Sequence, residues 1–331
     1  MGVIFLQHIL LCLLVLAVLF VNGWTDAPNS ITTVVSTGTL SFRRAALFAA
    51  AFDMAGITVT ALLCPTVAQT VFSLADFGNN PIAALTALQS ALLSVVIWAV
   101  FAWRFGIPTS ESHALLSGLT GSAIALNGGI RGISADAWSK VLVGLFLSTV
   151  CGAFIGYCAV RHISLPSLSP RLVRKGQLLS AASMAFFHGA QDGQKFLALL
   201  LLSQALTCGQ SKPVFSISMP LALLCAIVMA CGVLCGGQRI VGTVSQGMHG
   251  LDSCQCLAAD LAGSICLLAA SFIGLPVSTT HTKISALLGA GISLKPSTHT
   301  KKITFRILLT WLATFPCCGL LSWGLTRFML L

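Results

Sequence analysis

Apolar runs of membrane-spanning length recur along the whole chain. The clearest are residues 3–22, 43–64, 81–103, 137–160, 213–236, 254–275 and 303–326. A transmembrane α-helix needs about 20 predominantly apolar residues, and inside lipid only helices and closed barrels satisfy every backbone hydrogen bond. Only 8% of the residues are charged, against about 25% in soluble domains. The sequence therefore predicts an all-α integral membrane protein with about 10–12 transmembrane helices.

The formal net charge of +10 is spread over short connections such as SFRR (41–44) and SPRLVRK (169–175). Scattered basic loops fit the positive-inside rule for membrane proteins and argue against nucleic acid as a partner. Residues 1–23 lack a basic start and a small-residue cleavage site, so we expect the first span to be retained. We expect a multi-pass protein of the cell membrane, of the bacterial type, whose main surroundings are the lipid bilayer.

The sequence contains two internally repeated motifs. GIPTSESHALLSGLTGSAIA (106–125) aligns without a gap on GLPVSTTHTKISALLGAGIS (274–293), 168 positions later. NGWTDAPN (22–29) aligns on HGAQDGQK (188–195), 166 positions later. Both pairs occur in the same order, which predicts two transmembrane repeats, residues 1–165 and 166–331, joined by the Ser- and Pro-rich stretch 161–175. Such duplication with interrupted spans is typical of secondary transporters, with either inverted or parallel repeats.

An aspartate stands in the middle of each copy of the shorter motif. Glycine or proline flanks both carboxylates, so we expect each span to unwind locally and to turn backbone carbonyls toward the carboxylate. Carbonyl, carboxylate, amide and hydroxyl oxygens together suit a small hard cation, with sodium as a candidate. The predicted cation ligands are Asp26, Asp192, Thr25, Asn29 and Gln194. For Asp53 and Asp260 a structural ion pair and a functional role both remain open.

The longer motif begins in each copy with proline and hydroxyl residues, followed by an apolar stretch too short to cross a membrane. This pattern predicts re-entrant half-helices whose N-terminal amides and positive dipole ends point inward and hold an anion. The predicted anion-binding residues are Thr109, Ser110, Ser112, Ser278, Thr279, Thr280 and Gln191. His113, His281 and Glu111 are candidates for a proton or charge relay.

Motifs of soluble enzymes are missing from the sequence. It contains no GxxxxGK[ST] nucleotide loop, no GxSxG elbow and no HExxH zinc motif, and we expect neither enzymatic activity nor an organic cofactor. Two intramembrane aspartates are also compatible with a membrane aspartyl protease, and an anion site is also compatible with a passive anion channel. The sequence leaves both alternatives open.

The motifs resemble those of the inorganic phosphate transporter (PiT) family, the sodium- or proton-coupled phosphate permeases. That family carries twice a GxNDxxN-like element and a PxSxxH element, here GWTDAPN and GAQDGQK, then PTSESH and PVSTTH. The resemblance implies inverted repeats that work by alternating access. It also implies that Asp26 and Asp192 ligate the coupling ion, sodium or proton, and that the half-helix residues bind inorganic phosphate. A sulfate symporter of the same family and a homodimer remain open.

Overall fold

The computed structural model describes residues 2–78, 80–163, 169–208, 217–247, 251–292 and 298–331. Thirteen α-helices lie within these ranges. They are α1 (Gly2–Thr25), α2 (Pro28–Ser36), α3 (Phe42–Leu63), α4 (Thr66–Phe72), α5 (Pro81–Arg104), α6 (Glu111–Asn127), α7 (Ala135–Ile163), α8 (Pro170–Cys208), α9 (Met219–Cys235), α10 (Gln238–Gly247), α11 (Ser253–Ile273), α12 (Thr279–Ile292) and α13 (Thr298–Met329). Most of the predicted connection 161–175 is helical, and its residues 164–168 fall outside the described ranges.

The seven apolar runs correspond in order to α1, α3, α5, α7, α9, α11 and α13. By length and hydropathy alone, six segments of the described chain can cross a membrane, and the bent pair α9 and α10, which meet at 65°, raises this number to seven. α8, with 39 residues, is longer than the other described helices. It is not among the six segments, because polar residues at its centre lower its mean hydropathy. Large apolar side chains such as Phe154, Phe272 and Leu312 are 66%, 69% and 74% exposed, as expected of a lipid-facing surface.

The first span is interrupted between α1 and α2, at Asp26 and Ala27. Pro28 has no backbone N–H to donate, and the N–H of Asn29 turns to the Asp26 carbonyl at 2.9 Å. The carbonyl of Trp24 therefore loses its usual donor four residues ahead. The predicted break at the first aspartate is confirmed.

The second aspartate lies in an unbroken helix. The sequence predicted that Gly189 and Gly193 would unwind the chain around Asp192, and this is wrong, because α8 runs through all three residues. The glycines instead allow close packing against α3. A Cβ atom at Gly189 would lie 2.3 Å from the carbonyl oxygen of Asp53, so the two backbones touch at this point.

The half-helices α6 and α12 have 17 and 14 residues. At 1.5 Å per residue they are about 25 and 21 Å long, shorter than the roughly 30 Å of hydrocarbon. Ser110 accepts a hydrogen bond from the N–H of His113, and Ser278 accepts one from the N–H of His281, each at 3.2 Å. Both half-helices therefore begin at a serine cap, as the hydroxyl-rich motifs predicted.

The order of the helices repeats, and equivalent helices pack reciprocally across the two halves. α1 packs on α9 while α8 packs on α3, and these four helices form a central group. α6 packs on α13 and α5, while α12 packs on α7 and α11. We call α5, α6 and α13 the first wing and α7, α11 and α12 the second wing. Reciprocal contacts of this kind are those of an approximate two-fold axis, and each wing contains one half-helix.

Candidate functional site

Asp26 lies at the break between α1 and α2, where its carboxylate meets the start of α12. Thr280 donates a short hydrogen bond to one carboxylate oxygen, and Thr279 lies 3.3 Å from the other. Asn29 Nδ2 donates to Oδ1 at 3.0 Å. The Asp26 side chain is buried, and all three of these partners are neutral, so its hydrogen bonds bring no positive charge.

Asp192 occupies the equivalent position in α8 but has basic partners. Lys195 Nζ lies 2.7 Å from Oδ1, and His188 Nε2 lies 3.5 Å from Oδ2. Asn22 Nδ2 donates to Oδ2 at 3.0 Å. Lys195 is fully buried, so its ammonium and this carboxylate compensate each other inside the protein.

The two aspartates share one buried centre. Thr279 Oγ1 lies 3.3 Å from an Asp26 oxygen and 3.4 Å from an Asp192 oxygen. One ligand atom from each of Asp26, His188 and Asp192 lies within 4.8 Å of the others. The structure thus brings together the carboxylates that the sequence repeat related.

The N-terminal ends of α6 and α12 meet at the same centre. Ser112, the second residue of α6, donates from Oγ to the carbonyl of Val277 at 3.4 Å, just before α12 begins. Lys195 donates to both Ser112 Oγ and the Val277 carbonyl, at 2.6 Å each. The amides of the first turn of each half-helix have no acceptor within their own helix, and they lie beside the paired aspartates.

Glu111 is the first residue of α6 and is completely buried. The hydroxyl of Thr25, one of the predicted cation ligands, forms a short hydrogen bond with Glu111 Oε1 and also lies 2.9 Å from the Val21 carbonyl. The other oxygen, Oε2, has no hydrogen-bond partner in the described part of the chain. Glu111 also lies within electrostatic range of Asp26, so two carboxylates with neutral hydrogen-bond partners adjoin each other.

Asp53 and His188 extend this network, and neither was among the predicted site residues. His188 Nδ1 lies 2.8 Å from Asp53 Oδ1, while its other nitrogen faces Asp192. The signal was present in the repeat, because His188 aligns with Asn22, which also contacts Asp192. Asp53 itself has no repeat partner with a carboxylate, which is why the alignment did not find it.

Two of the predicted site residues are engaged elsewhere. Thr109 Oγ1 accepts a hydrogen bond from Trp98 Nε1 at 2.9 Å and lies 3.2 Å from Thr314, so it belongs to the contact of α5 with α13. Gln194 Oε1 accepts from the N–H of Val67 at 3.1 Å and so caps the start of α4. In this structure Thr109 and Gln194 therefore contact other helices, and their predicted roles at the anion and cation sites stay predictions.

The remaining predicted residues surround the centre. Ser110 and Ser278 cap their half-helices, and Gln191 donates to Ser271 at 3.0 Å while its own carbonyl oxygen has no partner among the described residues. The rings of His113 and His281 lie 4.1 Å apart, edge to face. Both histidines pack among aromatic rings behind the helix ends and form no hydrogen bond to the carboxylates in the described structure.

The chemistry of the centre suits a hard cation. Four buried carboxylates face two basic side chains in this network. The carboxylates belong to Asp26, Asp53, Glu111 and Asp192, and the basic side chains to Lys195 and His188. The amide oxygens of Asn22, Asn29 and Gln191 also lack hydrogen-bond partners in the described ranges. Excess buried negative charge with unsatisfied oxygens is the donor set that sodium or a proton would complete.

A second buried ion pair lies apart from this centre. Lys283 of α12 donates a short hydrogen bond to Asp260 of α11. The same carboxylate accepts from Thr33 of α2 at 2.6 Å and lies 3.4 Å from the hydroxyl of Ser180 on α8. Asp260 thus forms an ion pair and contacts three further helices, which favours the structural one of the two roles left open by the sequence.

The fold and its centre define the class of the protein. Spans of membrane length, repeated halves and two half-helix ends meeting at buried charges are together typical of multi-pass secondary transporters.

Comparison with known proteins identifies the family. The sequence profile described as "Phosphate transporter family" matches residues 22–170 and 162–322, and the chain belongs to this family. It is 32% identical to a probable low-affinity inorganic phosphate transporter of Rhizobium meliloti (strain 1021), over 92% of this chain and 90% of that one. It is 29% identical to a protein of the same description from Bacillus subtilis (strain 168), over 97% of both chains.

The fold is also shared with a solved structure. A protein described as "The sodium-dependent phosphate transporter" superposes with a TM-score of 0.87 at 20% identity, over 99% of each chain. This likeness supports the predicted all-α membrane fold.

Proposed function

We propose that the protein carries inorganic phosphate across the cell membrane together with a coupling cation, by alternating access to the centre around Asp26 and Asp192. Family membership and the names of the relatives support phosphate as the substrate. The name of the structural neighbour supports sodium as the cation, and a proton remains the alternative. A transporter of this kind performs no chemical reaction, which fits the lack of enzyme motifs.

The observation that carries this proposal is the meeting of the two half-helix ends beside the paired aspartates. Amides of the first turns of α6 and α12, with the hydroxyls of Ser112, Thr279 and Thr280, offer donors to an oxyanion. The adjoining carboxylates of Asp26 and Glu111 would repel a phosphate unless cations accompany it. Anion and cation therefore have a physical reason to occupy the centre together, which is what coupled transport requires.

The geometry of the site bears on the three alternatives: a passive channel, an aspartyl protease and a sulfate symporter. A passive channel needs no buried carboxylates whose charge a cation must offset. An aspartyl protease needs two carboxylates that share a proton over a water, whereas Asp192 is already held by Lys195 at 2.7 Å. Sulfate differs from phosphate in having no proton to donate at neutral pH, and a centre with several carboxylate acceptors favours a protonated oxyanion.

The test is uptake of radiolabelled phosphate by proteoliposomes with a sodium gradient, a proton gradient or neither. We expect accumulation with one of the two gradients, competition by unlabelled phosphate and weak competition by sulfate. Asp136→Asn is the matched control, because the Asp136 side chain is exposed and pairs at the surface with Lys140. Uptake that merely equilibrates and ignores both gradients would support a channel, and stronger competition by sulfate would identify the anion as sulfate.

A further inference from the structure

The two halves differ in charge at Lys195, beside the second aspartate of the centre. The repeat alignment places Lys195 opposite Asn29, three residues after the aspartate in each half. Both side chains lie in the buried centre, with exposed fractions of 0% and 3%. One half therefore has an ammonium where the other has a neutral amide.

The contacts of the two side chains are equivalent as well. Asn29 Nδ2 donates to Asp26 Oδ1 at 3.0 Å and lies 3.3 Å from Thr280 Oγ1, the second residue of α12. Lys195 Nζ lies 2.7 Å from Asp192 Oδ1 and 2.6 Å from Ser112 Oγ, the second residue of α6. The nitrogen of Lys195 thus occupies the two-fold counterpart of the Asn29 nitrogen, with one unit of positive charge added.

The oxygen atoms around the two aspartates differ accordingly. Asn29 Oδ1 has no partner in the described part of the chain, so the Asp26 side retains an amide oxygen for a cation. On the Asp192 side the lysine offers only donors, and its ammonium also binds the Val277 carbonyl at 2.6 Å. The place where a free cation would sit beside Asp192 is filled by the chain itself.

We propose that Lys195 is a tethered cation, which fills at Asp192 the position that a mobile coupling cation takes at Asp26. This inference rests on the proposed function, since it assigns the coupling cation to one side of the centre. The tether remains in the protein throughout the transport cycle, so each phosphate is accompanied by one cation fewer than in a protein with both positions open. The number of cations that accompany each phosphate is then set by a single side chain.

The test counts cations bound to the purified protein. Equilibrium binding of radiolabelled sodium in detergent, at saturating inorganic phosphate, is measured for the wild type, Lys195→Asn, Asn29→Lys and the double exchange. We expect Lys195→Asn to bind one sodium ion more per chain than the wild type, and Asn29→Lys one fewer. The double exchange conserves total charge and is expected to restore the wild-type number, while Lys195→Arg retains the positive charge and the wild-type number.

A second readout covers the case in which protons are the coupling ions. In proteoliposomes the reversal potential of phosphate flux gives the number of cations per phosphate, and Lys195→Asn should raise this ratio by one for whichever gradient drives the wild type. If Lys195→Asn does not yield monodisperse protein, Asn29→Lys supplies the test with the opposite sign.

Two results would overturn the proposal. One is a folded Lys195→Asn variant with an unchanged ion count and an unchanged coupling ratio. The other is a Lys195→Asn variant whose sole change is a higher phosphate concentration at half-maximal uptake, since Lys195 would then bind the anion. Failure of the proposed function is distinct from both, because it would appear as a wild type that accumulates no phosphate under either gradient.

Discussion

Asp26 and Asp192 are equivalent by sequence repeat, yet the protein compensates their charges differently. Asp192 has an ammonium at 2.7 Å and an imidazole at 3.5 Å, whereas Asp26 has two threonine hydroxyls and an amide. A buried charge without a basic partner is costly and is stabilised by a bound cation or a proton. The two aspartates should therefore respond differently to the same substitution.

Replacement of Asp26 by asparagine should abolish gradient-driven phosphate uptake while leaving the protein folded. The amide can still take part in hydrogen bonds with Thr279 and Thr280, but it no longer attracts a cation. We expect at least about a tenfold loss of the initial uptake rate, equivalent to roughly 1.4 kcal/mol, with an unfolding midpoint close to that of the wild type. Uptake near the wild-type rate would contradict the role of Asp26.

Replacement of Asp192 by asparagine should reduce both uptake and stability. The substitution leaves the Lys195 ammonium buried without its carboxylate, and breaking a buried pair in this way costs on the order of 3 kcal/mol. Thermal unfolding in detergent measures this effect, and the double variant Asp192→Asn, Lys195→Asn should recover part of the lost stability. Equal midpoints for the two single variants, Asp26→Asn and Asp192→Asn, would show that the partners do not distinguish the aspartates.

At the scale of elements, the sequence predicted the apolar spans well and the polar contacts less well. Each span is a contiguous apolar run, so its position depends on local composition. The contacts of Thr109 and Gln194 depend on Trp98, which belongs to another helix, and on the first-turn amides of α4. Such contacts join residues that are distant in sequence, so no local sequence pattern predicts them.

The glycines beside Asp192 show the same limit of prediction from local sequence. A glycine inside an apolar run is compatible both with a break and with close helix contact, and only the partner helix decides between them. The structure contains both a break and a close contact, at the two positions that the sequence repeat relates. Pro28 breaks the first span, while Gly189 fits α8 against the backbone of α3.

Replacement of Gly189 by alanine should destabilise the protein by separating α3 from α8. The added Cβ atom would lie 2.3 Å from the Asp53 carbonyl oxygen, and overpacking of this kind costs about 1–3 kcal/mol. Gly324→Ala is the matched control, because Gly324 lies in α13 with no atom within 4 Å of an added Cβ, and alanine favours a helix by up to about 1 kcal/mol. Thermal unfolding in detergent compares the two, and an unaltered midpoint for Gly189→Ala would contradict the close contact.

At the scale of the whole molecule, the structural groups do not follow the sequence halves. The first wing combines α5 and α6 from the first half with α13 from the second, and the second wing combines α7 with α11 and α12. The central group also draws helices from both halves. If the centre is exposed alternately to the two sides of the membrane, we therefore expect the moving unit to be a wing with its half-helix. We do not expect a sequence half to move as one unit.

This exchange of helices predicts that neither half folds alone. A chain ending at residue 165 contains α6 without α13, and α3 without α8, so apolar faces and the buried Asp53 would lose their partners. We expect each half expressed separately to aggregate or to be degraded, and the two halves expressed together to assemble into a monodisperse complex that transports phosphate. Size-exclusion chromatography and uptake by proteoliposomes measure these outcomes. A stable, protease-resistant first half would show instead that contacts within a half suffice, and that the reciprocal packing of the wings is not what stabilises the fold.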